Sequence, residues 1–332
     1  MPSNVDSSRK LPPLPDLKGA RIAVTGASGF IGKHLCRSLE TRGAELLLLQ
    51  RERKPLSQKS ARSVPVSATD RDAVAAVLRE LKPDVLFHLA GYVCGDRSQK
   101  AMAAAFDGNV LFSANILLGC LNELPQTRVI ATSSLDASDP LQGPAVSGSA
   151  YGVSKLMLEV LCGGLRELYG AHVFTARLGM VYGPDDDHQT RLVPAVIHSF
   201  LNQRSPHLSS GKRRSDWVYI DDVVEGLCAM AAVPELPQTA IELGTGILHS
   251  VRDVAELLAS IMRAGLPIRY DPTLDRPREQ ERAADMVATR SILPLSASTD
   301  LVTGLARTVE SYRRHERQAS VRPIEHAERS RS

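Results

Sequence analysis

The stretch Ala20–Gly32 reads ARIAVTGASGFIG, and its pattern decides the fold. Ile22–Val24 form a short apolar run of the kind that makes a buried strand, and it stops at Gly26. Glycines follow at 26, 29 and 32, and beyond them Ile31, Leu35 and Leu39 recur at helical spacing. Strand, glycine-rich turn and helix in direct succession form a dinucleotide-binding turn. Gly26 is expected to permit the tight turn, Gly29 to let a pyrophosphate approach the backbone, and Gly32 to let helix pack on strand. The helix N-terminus then faces the phosphates, so Gly26, Ser28, Gly29, Phe30, Ile31 and Gly32 are the expected cofactor contacts.

Outward from this turn the same rhythm continues. The spacing predicts strands over 44–50, 84–91, 128–134 and 172–179, alternating with helices over 30–43, 70–81, around 101–123 and over 151–169. Continuous apolar strands between helices indicate a parallel sheet covered on both faces, so the expected fold is a doubly wound α/β sheet of Rossmann type. From about Tyr182 prolines break the chain into shorter pieces. The expected organisation is therefore a dinucleotide-binding domain over 19–181 and a smaller substrate-binding region over 182–312, at the edge of the sheet where α/β ligands bind. Residues 1–18 and 313–332 lack an apolar period and are expected to be flexible tails.

Composition limits the function classes. Of 332 residues, 43% are hydrophobic, which excludes a wholly disordered chain. The net charge of +3 sits at the ends: 313–332 carry six Arg against three Glu, and 1–18 carry Arg9, Lys10 and Lys18 against Asp6 and Asp16. The body is slightly acidic and offers no basic face for a nucleic acid. Cys36, Cys94, Cys120, Cys162 and Cys228 have no metal-ligand spacing and each has apolar neighbours, so buried free thiols and no metal are expected. Free thiols suit a reducing cytoplasm. The N-terminus is polar and proline-rich where a leader would be apolar, and runs such as Leu46–Leu49 are too short to span a bilayer. The expectation is a cytoplasmic protein with no membrane partner.

Two further motifs bear on chemistry. The second strand ends Gln50-Arg51-Glu52-Arg53. An acid at the strand tip would hold the ribose 2′-hydroxyl of NAD; it is missing, and Arg51 and Arg53 suit the 2′-phosphate of NADP. Glu52 keeps NAD open. Tyr151 and Lys155 stand four residues apart at the start of a helical stretch, on one face. There an ammonium stabilises a phenolate and makes the phenol a usable proton donor or acceptor. Ser133 and Ser134 end the preceding strand run.

Taken together the chain resembles an extended short-chain dehydrogenase/reductase of the NAD-dependent epimerase/dehydratase family, whose members modify nucleotide-activated sugars. The likeness covers about 19–312. It rests on Thr25–Gly32, His88-Leu89-Ala90-Gly91, Asn109-Val110 with Asn115, Ser133-Ser134, Tyr151–Lys155, Arg177–Pro184, Asp216–Asp222, Arg276-Pro277-Arg278 and Ala284-Asp285. The resemblance implies that Tyr151 is the acid/base, that Lys155 holds the nicotinamide ribose and lowers the Tyr pKa, and that Ser134, better placed than Ser133, bonds the reacting oxygen. It implies that Leu89, Ala90, Gly91 and Asn109 line the cofactor. Arg276, with Arg213 or Arg214, is the implied holder of a substrate diphosphate; Arg177 is expected to order the sheet edge, and Asp221 and Asp222 to cap a helix.

The departures narrow the reaction. Sugar dehydratases carry Asp-Glu after the catalytic Ser or Thr; Leu135-Asp136 follows Ser134 here, and the base has no counterpart. The gap from Ser134 to Tyr151 is also shorter than in many sugar epimerases. The expected activity is NADPH-dependent reduction of an NDP-4-keto-6-deoxyhexose at C4. The alternatives are a 4-epimerase with retained NAD, a reductase of a non-nucleotide ketone, and a non-catalytic NAD(P)-binding regulator. The expected partner is a nucleotide-sugar substrate, and a homodimer is compatible with the fold class.

Overall fold

The computed structural model describes residues 17–50, 61–67, 69–137, 148–237, 240–276 and 279–321. The first half of the chain forms β1 (Arg21–Thr25), α1 (Phe30–Thr41), β2 (Glu45–Gln50), β3 (Ala61–Pro65), α2 (Arg71–Leu81), β4 (Val85–His88), α3 (Gln99–Ala105), a π turn (Phe106–Leu111), α4 (Phe112–Glu123), β5 (Arg128–Ser134) and α5 (Ala150–Tyr169). The second half forms β6 (Val173–Leu178), β7 (Met180–Tyr182), α6 (Leu192–Leu201), β8 (His207–Leu208), β9 (Arg214–Tyr219), α7 (Ile220–Ala232), β10 (Ala240–Leu243), β11 (Leu248–Ser250), α8 (Val251–Met262), β12 (Arg269–Tyr270), α9 (Met286–Ile292) and α10 (Leu301–Val321).

A seven-stranded sheet runs in the order β10-β6-β5-β4-β1-β2-β3, every neighbouring pair parallel. The expected doubly wound α/β fold is what the chain adopts. Two strands of the sheet carry no long apolar run. β3 is an edge strand ending in Pro65, which needs no ladder partner on its open side. β10 is four residues long and closes the opposite edge.

One face of the sheet is covered by α2, α4 and α5, where Val74, Leu78, Ile116, Cys120, Leu158 and Cys162 pack on Leu47, Leu86 and Val129. α1 packs beside α7 in the other layer. Local chemistry sets the helix starts: Asp70 accepts from Ala73 N at 2.9 Å to cap α2, and Ser149 accepts from Gly152 N at 3.0 Å to cap α5. Asp221 and Asp222 stand one step inside α7 instead of at its cap, where they face the positive end of the helix dipole. The stretch Gln99–Glu123 is long and apolar enough, by length and composition, to cross a membrane: an 18-residue window within it has a mean hydropathy of 1.4, and half of that window is buried inside the protein. Its buried face packs on α2 and α5, as a core helix does.

The chain divides into two compact units, and not at one boundary. The first holds the chain up to Val181 together with Ser215–Leu248 and Arg276–Ser298; the second holds Tyr182–Arg214, His249–Asp275 and the chain from Thr299. The break at 181/182 is where the prolines begin, but the chain returns twice to supply β10 and the segment carrying Arg276. In the second unit α8 packs on α6 and α10, and β8 pairs with β12. Residues 313–321, expected in a tail, continue α10. Leu301, Leu305, Val309 and Tyr312 give this helix a buried stripe, and Tyr312 Oη donates to the Asp186 carbonyl at 2.5 Å.

A ladder of alternating charge crosses the sheet from α5 to β10. Lys155 and Glu159 lie one turn apart; Arg177 donates to Glu159 at 2.6, 2.9 and 3.0 Å and to Glu242 at 3.4 Å; Arg282 pairs with Glu242 in turn. Arg177 thus orders the sheet edge, as expected of it. Replacing it by Met leaves two nearly buried carboxylates without their shared cation, at a cost of about 3 kcal/mol. Urea unfolding of Arg177→Met is expected to show that loss as a lowered midpoint at unchanged slope, and a loss below about 1 kcal/mol would remove the ladder from the account of stability.

Candidate active site

The glycine turn is crowded by backbone. Gly26 has φ +72°, a left-handed conformation that side chains disfavour, and a Cβ there would lie 2.6 Å from Ala90 N and 2.9 Å from the Leu89 carbonyl carbon. A Cβ on Gly32 would run into the Gly26 carbonyl oxygen and lie 2.7 Å from Ala27 Cα. The three glycines therefore let the end of β1, the start of α1 and the Leu89–Gly91 segment share one small volume. Ser28 and Gly29 are exposed at the start of α1 and Phe30 is buried beneath them. No acidic residue occupies the first turn of α1, and Gly29 brings no capping side chain, so the first N–H groups suit an anion such as a pyrophosphate.

A second group of residues gathers where β4 and β5 end. Lys155 is 4% exposed, donates to the Thr132 carbonyl at 2.8 Å, and lies 5.6 Å from the centre of the Tyr151 ring. Burial lowers the pKa of its ammonium to about 8, against smaller opposing effects of Cys162 and Glu159. Gly91 keeps the space beside it open: a Cβ there would lie 2.7 Å from Asn109 Oδ1 and 3.4 Å from Lys155 Nζ.

Asn109, expected at the cofactor, is held by protein groups. It is 1% exposed, its Oδ1 accepts from Tyr92 N at 2.6 Å, and its Nδ2 donates to Tyr92 O at 2.9 Å and to Ser154 Oγ at 2.8 Å. Both amide hydrogens are spent inside the protein, so this side chain ties the loop after β4 to α5. Ser154 donates in turn to the Tyr151 carbonyl at 2.7 Å, which ties Asn109 to the first turn of α5.

Ser134 ends β5 and is nearly buried; among the described residues its Oγ accepts from Asp136 N at 3.1 Å. Ser133 Oγ is buried with no hydrogen-bond partner among the described residues. Arg276 is exposed and reaches the loop after β4, where a Cβ on Gly95 would lie 2.8 Å from its Nη1. The first unit thus brings Arg276 onto the loop that continues from Leu89–Gly91. Arg214 starts β9, is exposed, and belongs to the second unit. Arg51 and Arg53 lie outside the described residues, as do Glu52, Arg278 and positions 138–147.

Three further residues organise this edge. Asp216, 1% exposed, accepts from Thr245 N at 2.8 Å, Thr245 Oγ1 at 2.6 Å, Gly246 N at 2.9 Å and Ala284 N at 2.9 Å. It anchors the segment that follows Arg276, and its place just before the apolar Trp217-Val218 pair was the signal for a buried, bonded carboxylate. Gln50 stands at the tip of β2 and accepts from Ser63 Oγ at 3.4 Å. Cys94, expected to be buried with the other four cysteines, is half-buried on the loop after β4, where its Sγ accepts from Asp96 N at 3.2 Å. Burial raises the thiols of Cys36 and Cys120 to about 12 and Cys162 higher still.

The glycine turn and the Tyr/Lys helix are the parts of a nicotinamide-dependent enzyme, and comparison with known proteins agrees. The NAD dependent epimerase/dehydratase family matches residues 22–244. A dTDP-4-dehydro-6-deoxy-D-allose reductase of Streptomyces bikiniensis is 26% identical, over 90% of this chain and 98% of that protein. A UDP-glucose 4-epimerase of Mycolicibacterium smegmatis is 28% identical, over 88% of this chain and 98% of that one. The structure of MoeE5 in complex with UDP-glucuronic acid and NAD is similar with a TM-score of 0.79 and 25% identity, covering 89% of this chain and all of that one. With two thirds of its length matched by the family, a parallel sheet of the right order and the Tyr/Lys helix in place, this chain belongs to the NAD dependent epimerase/dehydratase family and is an NAD(P)-dependent enzyme of the short-chain dehydrogenase/reductase type.

Proposed function

We propose that the chain reduces the C4 ketone of a nucleotide-activated 4-keto-6-deoxyhexose with NADPH. The observation that carries this is the pairing of Tyr151 with the buried Lys155 ammonium beside the glycine turn, in a chain whose likeness to a 4-dehydro-6-deoxysugar reductase runs along nearly its whole length. Leu135-Asp136 after Ser134 leaves no Glu for dehydration, which supports a simple reduction.

A bound nicotinamide supplies a hydride to the carbonyl carbon. The displaced π-electron pair goes to the oxygen, where Tyr151 Oη delivers a proton. The resulting phenolate is stabilised by the Lys155 ammonium and recovers its proton from solvent, so ketone, NADPH and one proton give alcohol and NADP. Ser134, whose Oγ accepts from Asp136 N, points its own hydrogen to the reacting oxygen. Arg276 neutralises the substrate diphosphate. Gly26 to Gly32 and Leu89 to Gly91 hold the dinucleotide, and Arg51 and Arg53 its 2′-phosphate.

The likeness to a UDP-glucose 4-epimerase favours a second reading, in which the same Tyr151 removes and returns the C4 hydroxyl proton with a retained NAD. Native mass spectrometry of the purified protein separates the two. A site that arrives empty and binds NADPH supports the reductase, and co-purified NAD supports the epimerase.

Tyr151→Phe is expected to lower kcat by 10²–10⁴-fold, a typical general-acid contribution, while NADPH affinity stays within about twofold. A variant keeping more than about half the wild-type kcat removes Tyr151 from the mechanism.

Turnover is expected to fall as pH rises through about 8, because the Lys155 ammonium is charged below that value and neutral above it. A kcat that stays flat between about pH 7 and 10 contradicts the role given to the ammonium.

NADPH is expected to bind at least about tenfold tighter than NADH, equivalent to roughly 1.4 kcal/mol. The double replacement Arg51→Ala, Arg53→Ala removes that preference, and Gln50→Asp, which restores an acid at the strand tip, reverses it. Fluorescence titration at fixed ionic strength measures all three. A wild-type preference for NADH would overturn the cofactor assignment.

A further inference from the structure

His88 ends β4, is 1% exposed, and stands edge-on to Phe112 at 5.3 Å between ring centres. Its Nδ1 lies 2.8 Å from Thr25 Oγ1 and its Nε2 lies 2.8 Å from Ser113 Oγ. The polarity of these bonds follows from counting hydrogens. Ser113 has one hydroxyl hydrogen, and 2.5 Å away stands the Asn109 carbonyl oxygen, which can only accept. That hydrogen is spent, so Ser113 Oγ must receive a hydrogen from Nε2. A neutral imidazole carries a single N–H, which leaves Nδ1 as the acceptor and makes Thr25 the donor to it. Thr25 Oγ1 in turn accepts from Ala90 N at 3.2 Å. Burial and the nearby Lys155 charge push the imidazole pKa down to about 3, so the ring is neutral at physiological pH. Hydrogens therefore point one way, from Ala90 N–H through Thr25, His88 and Ser113 to the Asn109 carbonyl.

This chain of bonds passes through Thr25, the last residue before the glycine turn, and ends inside the π turn. There the Phe112 N–H bonds to the Asp107 carbonyl, five residues back, so the helix is locally widened by one residue. Asn109 sits in that widened turn with its amide clamped on both backbone groups of Tyr92 and on Ser154. Gly108 closes on the same loop, since a Cβ there would lie 3.0 Å from Tyr92 Cβ.

We propose that His88 is a positioning residue for proton transfer: by accepting from Thr25 and donating to Ser113 it sets where the π turn holds Asn109, and through Asn109 it aligns the Tyr92 loop and the first turn of α5 that carries Tyr151 and Lys155. The inference rests on Tyr151 and Lys155 being the proton-transfer pair. The role requires one rigid, uncharged side chain that accepts at one end and donates at the other. Leucine leaves the Thr25 hydroxyl without its acceptor and Ser113 without its donor, whereas glutamine offers a carbonyl and an amide on one planar group.

The test uses the full chain as wild type, His88→Gln, His88→Leu and Ser113→Ala. Nitrogen-15 spectra of the imidazole are expected to show the proton on Nε2 and no titration between about pH 5 and 9. Carbon-13 labelled lysine follows the Lys155 titration, whose facing groups are Glu159, Cys162, Tyr151 and His88. Its midpoint is expected to be unchanged in His88→Gln and to rise by at least about 0.5 in His88→Leu, as a loosened site admits water and relieves the burial of the ammonium. kcat is expected to fall at least about tenfold in His88→Leu and less than about threefold in His88→Gln, with NADPH affinity within about threefold in both. Ser113→Ala removes one hydroxyl and, where His88→Leu does not fold, is expected to raise the same Lys155 midpoint. A proton on Nδ1 overturns the proposal. So does a Lys155 midpoint unmoved in His88→Leu and Ser113→Ala, or a loss of kcat matched by lost NADPH affinity and not rescued by glutamine. The nitrogen and lysine measurements need no substrate, so a protein that meets them and yet reduces no nucleotide sugar refutes the substrate assignment and leaves the positioning role standing.

Discussion

Backbone crowding at Gly26 is the constraint on which the whole edge of the sheet depends. A left-handed φ and an Ala90 nitrogen only 2.6 Å from where a Cβ would sit leave room at this turn for glycine alone. Just before it Thr25 and His88 are register partners at the ends of β1 and β4, so their side chains meet, and Gly26 lets the turn pass against Leu89 and Ala90. Crowding of backbone also leaves polar groups with few places to go. Around His88 and Asn109 the buried polar groups meet one another, and the hydroxyls of Thr25, Ser113 and Ser154 act as the couplers.

Charge is handled by the same economy. A buried ammonium is costly, and the structure keeps Lys155 close to protonation at neutral pH by placing Glu159 one turn along α5 and a backbone carbonyl at 2.8 Å. Glu159 is itself neutralised by Arg177, and Arg177 by Glu242, so the cost is spread over α5, β6 and β10. The Tyr151/Lys155 pair, to which we assign proton transfer, therefore stands on a helix whose second turn is bonded into the sheet through Lys155. That is the arrangement expected where reacting atoms must be held to a fraction of an ångström.

Neutral polar side chains do the finer positioning. Asn109 imitates a strand neighbour, giving and taking one hydrogen bond each with Tyr92, and so it shapes a loop that no sheet pairing reaches. Asp216 does the same for the segment after Arg276 with four donors on one carboxylate. These residues act on the site through others, because their polar atoms are taken up by backbone and side-chain partners within the protein.

The sequence by itself determined the class of fold, the glycine turn and the Tyr151/Lys155 helix, because each depends on chemistry within a few residues: apolar periods, a glycine triplet, an i, i+4 pair. It also marked Arg177 as a structural residue and Ser134 as the end of a strand. Tertiary structure decided what local patterns cannot carry. β3 and β10 are strands only because β2 and β6 offer them open edges, their own apolar runs being too short to declare them. Residues 313–321 are helical because Leu305, Val309 and Tyr312 commit α10 to a core that lies far away along the chain. Asn109 and His88 found their tasks only when β1, β4, α4 and α5 met, since a hydrogen-bond chain is a property of atoms in space. The chain returns to its first unit for the same reason: β10 and the Arg276 segment belong to that unit by packing, whatever their place in the sequence.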